Sequence, residues 1–142
     1  DSWDLKPTFH KHLDTRVSIL KMHPGITPDV VKHILCSTEA RAVIIETYGA
    51  GNAPSKEWFT SIVREAASLG KILMNVTQCI AGSVNMDIYA TGKSLKEAGV
   101  TNGYDSTTES ALGKLFYLMG LFQDNLLVKS MLELDLRGEI SK

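Results

Sequence analysis

Two short polar segments contain the residues of this sequence that could bind a small molecule. Tyr48-Gly49-Ala50-Gly51-Asn52 follows the apolar run Ala42–Ile45, and Thr77-Gln78-Cys79 follows the apolar run Ile72–Val76. The two glycines permit a close approach of the backbone to a ligand, and the Asn52 side chain offers both a carbonyl acceptor and NH₂ donors. These neutral hydrogen-bonding groups suit a small polar molecule such as an amino acid, and they include no evident base for proton abstraction.

Simpler interpretations of the same residues stay open. A glycine-rich turn between a strand and a helix needs no ligand, and Pro54 stands where a dinucleotide-binding Gly-x-Gly-x-x-Gly motif would have its last glycine. Cys79 would need a histidine or a cationic neighbour to act as a nucleophile, and a packed loop thiol explains it equally well. His10 and His12 have no cysteine or carboxylate cluster beside them, which disfavours a metal site.

The elements that must position these residues follow from hydrophobic periodicity. The pattern predicts strands at 16–22, 42–47 and 72–76, with a short strand or turn at 100–104. It predicts helices that begin at Thr27-Pro28, at Ser55, at Ser94 and after Asp105-Ser106, and a last helix at 124–134.

Alternating strands and helices with short connections predict a fold of the α/β class. We expect a small parallel sheet flanked by helices in three layers, similar to flavodoxin or Rossmann domains. In such sheets ligands lie at the carboxyl ends of the strands. Both polar segments should therefore face one crevice. We further expect a buried first strand, a last helix that packs through Leu127, Met131 and Leu134, and a non-helical tail from Leu136.

Composition restricts the class of protein. The chain has 142 residues, 44% of them hydrophobic and 22% charged, and a net charge of -1. This favours one globular domain and disfavours nucleic acid as a main partner. No apolar run reaches the roughly 20 residues that span a bilayer, so we expect no membrane contact. Two widely spaced cysteines favour a reducing, cytoplasmic location. Residues 1–15 show no period and are predicted to be a linker from a preceding domain, with the folded domain at 16–142.

Five motifs in order resemble one family, the C-terminal domain of type I (cytoplasmic) bacterial L-asparaginases. The resemblance runs from about Arg16 to the end of the chain. The motifs are Tyr48-Gly-Ala-Gly-Asn-Ala-Pro54, Asn75-Val-Thr-Gln-Cys-Ile-Ala-Gly82, Tyr89-Ala-Thr-Gly92, Asp105-Ser-Thr-Thr-Glu109 with Leu115-Phe-Tyr-Leu118, and Leu136-Arg-Gly-Glu139.

The resemblance implies a part in the hydrolysis of L-asparagine to L-aspartate and ammonia. In this family the nucleophilic threonines belong to Thr-Gly-Gly-Thr and Thr-Asp-Lys motifs of the N-terminal domain, and neither motif occurs here. The resemblance therefore implies that this chain alone is inactive, needs no cofactor, and works with the missing N-terminal domain in a homo-oligomer, a dimer or tetramer.

The resemblance also implies roles for individual residues. Asn52, with Gly51 and Tyr48, would contact the substrate across the subunit interface. Cys79, Glu46 and Thr77 would belong to an allosteric asparagine site, in which the family often has arginine at the position of Glu46. The alternatives are a stand-alone amino-acid-binding regulatory domain without catalysis, or an independent enzyme that uses Cys79.

Overall fold

A four-stranded parallel sheet organises the chain, and its strands lie side by side in sequence order. The computed structural model describes residues 13–47, 57–77, 94–103 and 106–139. The strands are β1 (Val17–Lys21), β2 (Ala42–Thr47), β3 (Ile72–Thr77) and β4 (Thr101–Asn102). The helices are α1 (Pro28–Lys32), which continues into a π-helical turn (His33–Ser37), α2 (Glu57–Ser68), α3 at residues 94–97, α4 (Thr108–Leu121) and α5 (Asn125–Glu139).

The two central strands are buried on both faces. In β2, residues 42–45 are fully buried, and in β3 the same holds for residues 72–74. Such continuous apolar runs are expected where helices cover both faces of a parallel sheet. The predicted limits of β2 are confirmed, and β3 is one residue longer than predicted because Thr77 pairs with Thr47.

Each face of the sheet has its own core, and strand residues contribute to the two cores alternately. Val43, Ile45 and Leu73 pack with α1, the π-helical turn, α2 and α3, whereas Ile44 and Met74 pack with α4 and α5. A sheet that adds strands in one direction through right-handed connections places all connecting helices on one face. The other face would be exposed without the two C-terminal helices. The predicted three-layer α/β fold is confirmed.

Local sequence signals account for the helix ends. The hydrophobic period predicts a buried stripe of Trp58, Phe59, Ile62, Val63 and Ala66 on α2 and an end at Gly70. The last four of these side chains are buried, Trp58 is partly buried, and Gly70 follows the helix with φ of 86°. The Thr107 side chain accepts a hydrogen bond from the Ser110 amide and caps the start of α4.

Three expectations about individual elements were wrong. The first strand is half-buried rather than buried, because β1 lies at the side of the sheet, and Ile19 is 41% exposed. The last helix buries Val128 and Leu132, while Leu127 and Leu134 are exposed. Two apolar stripes compete on α5, and contact with α4 and the sheet selects one of them. The helix also continues to Glu139, so the expected tail from Leu136 is helical.

Candidate functional site

The carboxyl end of the sheet, where β2, β3 and β4 finish, gathers a set of polar groups. The Thr47 hydroxyl donates a hydrogen bond to Asn75 Oδ1 over 3.0 Å, with the Val76 carbonyl 3.4 Å away as a second acceptor. Thr47 and Asn75 are only 5% and 8% exposed. This buried hydrogen bond between a hydroxyl and an amide oxygen fixes the last residues of β2 and β3 relative to each other.

The amide group of Asn75 has further hydrogen-bonding capacity. Its side-chain oxygen accepts from Thr47, while its NH₂ group has no hydrogen-bond partner among the described residues. An asparagine NH₂ group carries two donors. Within the part of the chain that the structure describes, this nitrogen is therefore available at the carboxyl end of the sheet for another residue or a small molecule.

A glycine allows β4 to approach β3 closely at the same place. The Gly103 amide donates to the Asn75 carbonyl over 2.7 Å. A Cβ atom at position 103 would lie 2.8 Å from that carbonyl oxygen, 3.0 Å from Met74 Cε and 3.1 Å from Val76 Cγ1. The glycine is therefore required by backbone contact and not by a turn conformation.

Glu46 lies on the other face of the same strand end. Its Oε2 accepts a hydrogen bond of 2.6 Å from the hydroxyl of Thr108, the first residue of α4. A carboxylate close to a helix N-terminus is favoured by the helix dipole, and its hydrogen bond is charge-assisted. This contact joins the end of β2 to the start of α4.

The buried polar side chains at this end of the sheet, in the described part of the chain, are uncharged. The buried polar residues of the described ranges are Thr47, Asn75 and Thr101, and all three are uncharged. No group of three or more His, Cys, Asp or Glu side chains in those ranges could hold a metal ion. No described helix has the length and apolar character needed to cross a membrane.

The thiol that the structure describes is remote from this set. Cys36 belongs to the π-helical turn, and its Sγ lies 3.9 Å from the Ile62 carbonyl. Burial, with a contribution from the Glu65 carboxylate, raises the pKa of this thiol. A thiol with a raised pKa is a poor nucleophile at neutral pH, which favours a packing role.

The structure tests the predicted site only in part. Glu46 and Thr77 both lie at the carboxyl end of the sheet, at adjacent positions of the β2–β3 register. Tyr48, Gly51, Asn52 and Cys79 lie outside the described residues.

Sequence reasoning missed the Thr47–Asn75 pair, the close approach of Gly103 and the role of Thr108. A signal existed for Asn75, because a polar amide interrupts the apolar run Ile72–Val76. No local signal links Thr108 to Glu46, because 62 residues separate them.

Comparison with known proteins decides the family. Residues 16–132 match the model of the glutaminase/asparaginase C-terminal domain. The chain belongs to this family. The domain is 39% identical to L-asparaginase 1 of Escherichia coli K12. The 125 aligned residues cover 88% of this chain and 37% of that protein. It is 38% identical to the 60 kDa lysophospholipase of Mus musculus, over 93% of this chain and 23% of that protein.

A solved structure agrees with the sequence comparison. L-asparaginase I from Vibrio cholerae superposes on this asparaginase C-terminal domain with a TM-score of 0.76 and 40% identity, over 91% of this chain and 39% of that one. The chain thus spans less than two fifths of the length of these relatives. The match concerns the C-terminal part of an asparaginase, in agreement with the family resemblance of the five motifs.

Proposed function

We propose that this domain is the C-terminal part of an enzyme that hydrolyses L-asparagine to L-aspartate and ammonia. The observation that carries the proposal is the similarity to bacterial type I asparaginases over almost the whole domain, in sequence and in fold. The nucleophilic residues lie outside these 142 residues, so the chain alone is inactive. The reaction requires no cofactor, and the enzyme acts in the cytoplasm.

The substrate contacts are assigned to Asn52, Gly51 and Tyr48. Tyr48 follows the last residue of β2 directly in the chain. The bonds of Thr47 to Asn75 and of Glu46 to Thr108 fix the point from which this segment starts. A fixed strand end supports a binding role, since a residue that follows a rigid strand loses less conformational entropy on binding than one that follows a free chain.

An effector site for a second L-asparagine is assigned to Cys79, Glu46 and Thr77. The common sheet edge supports this grouping: Glu46 and Thr77 lie one register position apart at the carboxyl ends of β2 and β3, and Cys79 follows Thr77 by two residues in the sequence. The Glu46 carboxylate suits an α-ammonium group rather than the α-carboxylate that an arginine would bind. If Glu46→Gln leaves the dependence of rate on asparagine concentration unchanged, Glu46 has no part in effector binding.

The partners of the domain are a second copy and the N-terminal domain of the enzyme. The outer stripe of α5 supports this assignment: Leu126 is 73% exposed, Leu134 60% and Leu127 41%. Neighbouring large apolar side chains on one helix mark contact surfaces more often than isolated ones do.

The direct test compares two proteins in an ammonia-release assay with L-asparagine. The 142-residue chain should show no activity, and the longer protein that includes an N-terminal domain should be active. Asn52→Ala in the longer protein should raise KM at least tenfold, and Gln123→Ala, which removes an exposed amide, should leave it unchanged. Activity of the short chain at the rate of the longer protein would contradict the assignment of the nucleophiles.

Calorimetry on the 142-residue chain distinguishes the alternative of a non-catalytic regulatory domain. For a regulatory domain, the chain should release heat on binding L-asparagine, and Asn52→Ala should abolish this heat. The longer protein should then show no hydrolysis of L-asparagine. An active longer protein excludes this alternative.

A further inference from the structure

The amino end of the sheet, where the strands begin, holds a buried cation that the proposed activity does not use. Arg41 precedes β2, and its side chain is 9% exposed. Its Nε donates to Asn125 Oδ1 over 2.5 Å, and its Nη2 to the Phe122 carbonyl over 2.6 Å. Its Nη1 donates to the Met119 carbonyl over 2.9 Å and to Asp14 Oδ2 over 3.2 Å.

Three of these acceptors belong to the corner between α4 and α5. The carbonyls of Met119 and Phe122 lie at the negative end of the α4 dipole, and α4 has no basic residue of its own in its last turn. Arg41 therefore supplies from the sheet the positive charge that stabilises a helix C-terminus. These contacts explain the position of the guanidinium group, but none of these three acceptors neutralises its charge.

The neutralising charge comes from a segment that precedes the first strand. Asp14 forms the only ion pair of Arg41 within the described ranges. It lies upstream of the family match, which begins at residue 16, and inside the stretch 1–15 that the sequence predicts to be a linker. Removal of a charge from water is costly unless a partner compensates it. The upstream segment thus supplies the counter-charge of a buried side chain of the domain.

Asp14 also forms an ion pair with Arg16, and burial decides which pair anchors the segment. The Asp14–Arg16 distance is shorter, 2.8 Å, but the Arg16 side chain is 62% exposed. Solvent screens exposed ion pairs, so they contribute little to stability. Moreover, Arg16 is two residues from Asp14 and ties the segment only to itself. The Arg41 pair joins partners that are 9% and 16% exposed and 27 residues apart.

We propose that Asp14 and Arg41 form a clasp that fixes the upstream segment of the chain to the amino end of the sheet. The Asp14 amide reinforces the clasp by donating to the Phe116 carbonyl of α4 over 3.3 Å. Any connection to a preceding domain then starts at a fixed position on this domain, beside Asp14, rather than from a flexible chain end. The inference is independent of the reaction that the enzyme catalyses.

Hydrogen exchange followed by mass spectrometry tests the clasp in the 142-residue chain. Asp14→Asn should increase the exchange rates of the amides of residues 14 and 16, the two that form hydrogen bonds in this segment, at least tenfold, because the segment detaches. Glu39→Gln is the matched control: it removes one negative charge from an exposed side chain two residues before Arg41, and it should change these rates less than twofold. If Asp14→Asn also leaves them within twofold, the clasp does not exist.

A second variant separates the clasp from a local turn. Arg16→Gln removes the local partner of Asp14 and keeps the Arg41 pair, so the segment should stay protected within about threefold of the wild type. If Arg16→Gln releases the segment as fully as Asp14→Asn does, a local turn holds it, and the proposal is wrong. This variant changes an exposed side chain and leaves the packing of the domain intact.

Discussion

The two ends of the same parallel sheet differ in the charge of their buried polar groups. At the amino end, Arg41 is surrounded by acceptors, and Lys71 donates to the carbonyls of Thr38 and Ala40. At the carboxyl end the buried polar groups, Thr47 and Asn75, are neutral, and one NH₂ group has no partner in the described ranges.

The difference follows from which parts of the fold meet at each end of the sheet. Loops and helix C-termini meet at the amino end, and their carbonyls attract cations. All three nitrogens of the Arg41 guanidinium donate to protein acceptors, and a buried cation held in this way rigidifies its surroundings. At the carboxyl end, Gly103 lets β4 pack closely against β3, and the buried polar groups are neutral. The two polar segments described above follow β2 and β3 in the sequence at this end.

Arg41→Met should give the largest effect on stability. The substitution leaves three acceptors of the α4–α5 corner without their donor and removes one of the two guanidinium partners of Asp14, which should lower the free energy of unfolding by about 3–5 kcal/mol. Urea denaturation measures the change. Arg64→Met, on the exposed side of α2, should change it by less than about 0.5 kcal/mol. Equal effects of the two substitutions would show that the buried Arg41 stabilises the amino end of the sheet no more than an exposed arginine does.

Gly103→Ala should give the next largest effect and tests the carboxyl end. The new Cβ would lie 2.8 Å from a backbone carbonyl oxygen. Overpacking of this kind should destabilise the domain by about 1–3 kcal/mol. Gly113→Ala on α4 meets nothing within 4 Å and should instead stabilise it by about 0.5–1 kcal/mol. Opposite signs in thermal unfolding would confirm the close approach of β4, and the same sign would contradict it.

Thr47→Val should have a smaller effect, because it removes a single donor. The valine keeps the shape of threonine but leaves the buried Asn75 oxygen without its hydrogen bond, at a cost of roughly 1–2 kcal/mol. Urea denaturation should show this difference against Thr60→Val, a partly exposed threonine of α2. If the two substitutions change the free energy of unfolding equally, the Thr47–Asn75 hydrogen bond does not stabilise the carboxyl end of the sheet.

The smallest effect should be the acid dependence of the amino end. Hydrogen bonds from Arg16, and then from Arg41, lower the pKa of Asp14 below its ordinary value. A carboxylate with a lowered folded-state pKa stabilises the protein fully above about pH 4, and this contribution is lost as the pH falls through the folded-state value.

Asp14→Asn should therefore cost stability at neutral pH, and its difference from the wild type should shrink on acidification below about pH 4. Urea midpoints measured across that range give the two curves. A constant difference at every pH would show that the charge of Asp14 plays no part.

Much of the architecture could be predicted because its signals are local. The apolar run of β2, the stripe of α2 and the glycine at position 70 each depend on a few neighbouring residues, and all three predictions are confirmed. The buried face of α5 could not be predicted, because its sequence offers two apolar stripes. Burial of Val128 and Leu132 follows from contacts with elements far away in the chain.

By itself, the sequence determined the α/β class, the order of the elements, both ends of β2 and the family. Hydrophobic period, turn residues and motif order carry these properties in short stretches of chain. Only the tertiary structure decided that Asp14 neutralises Arg41, that Glu46 binds Thr108 and that Gly103 lies against Asn75. Each of these contacts joins residues 27 or more positions apart, and it exists because the parallel sheet brings separate strand ends and helix ends together.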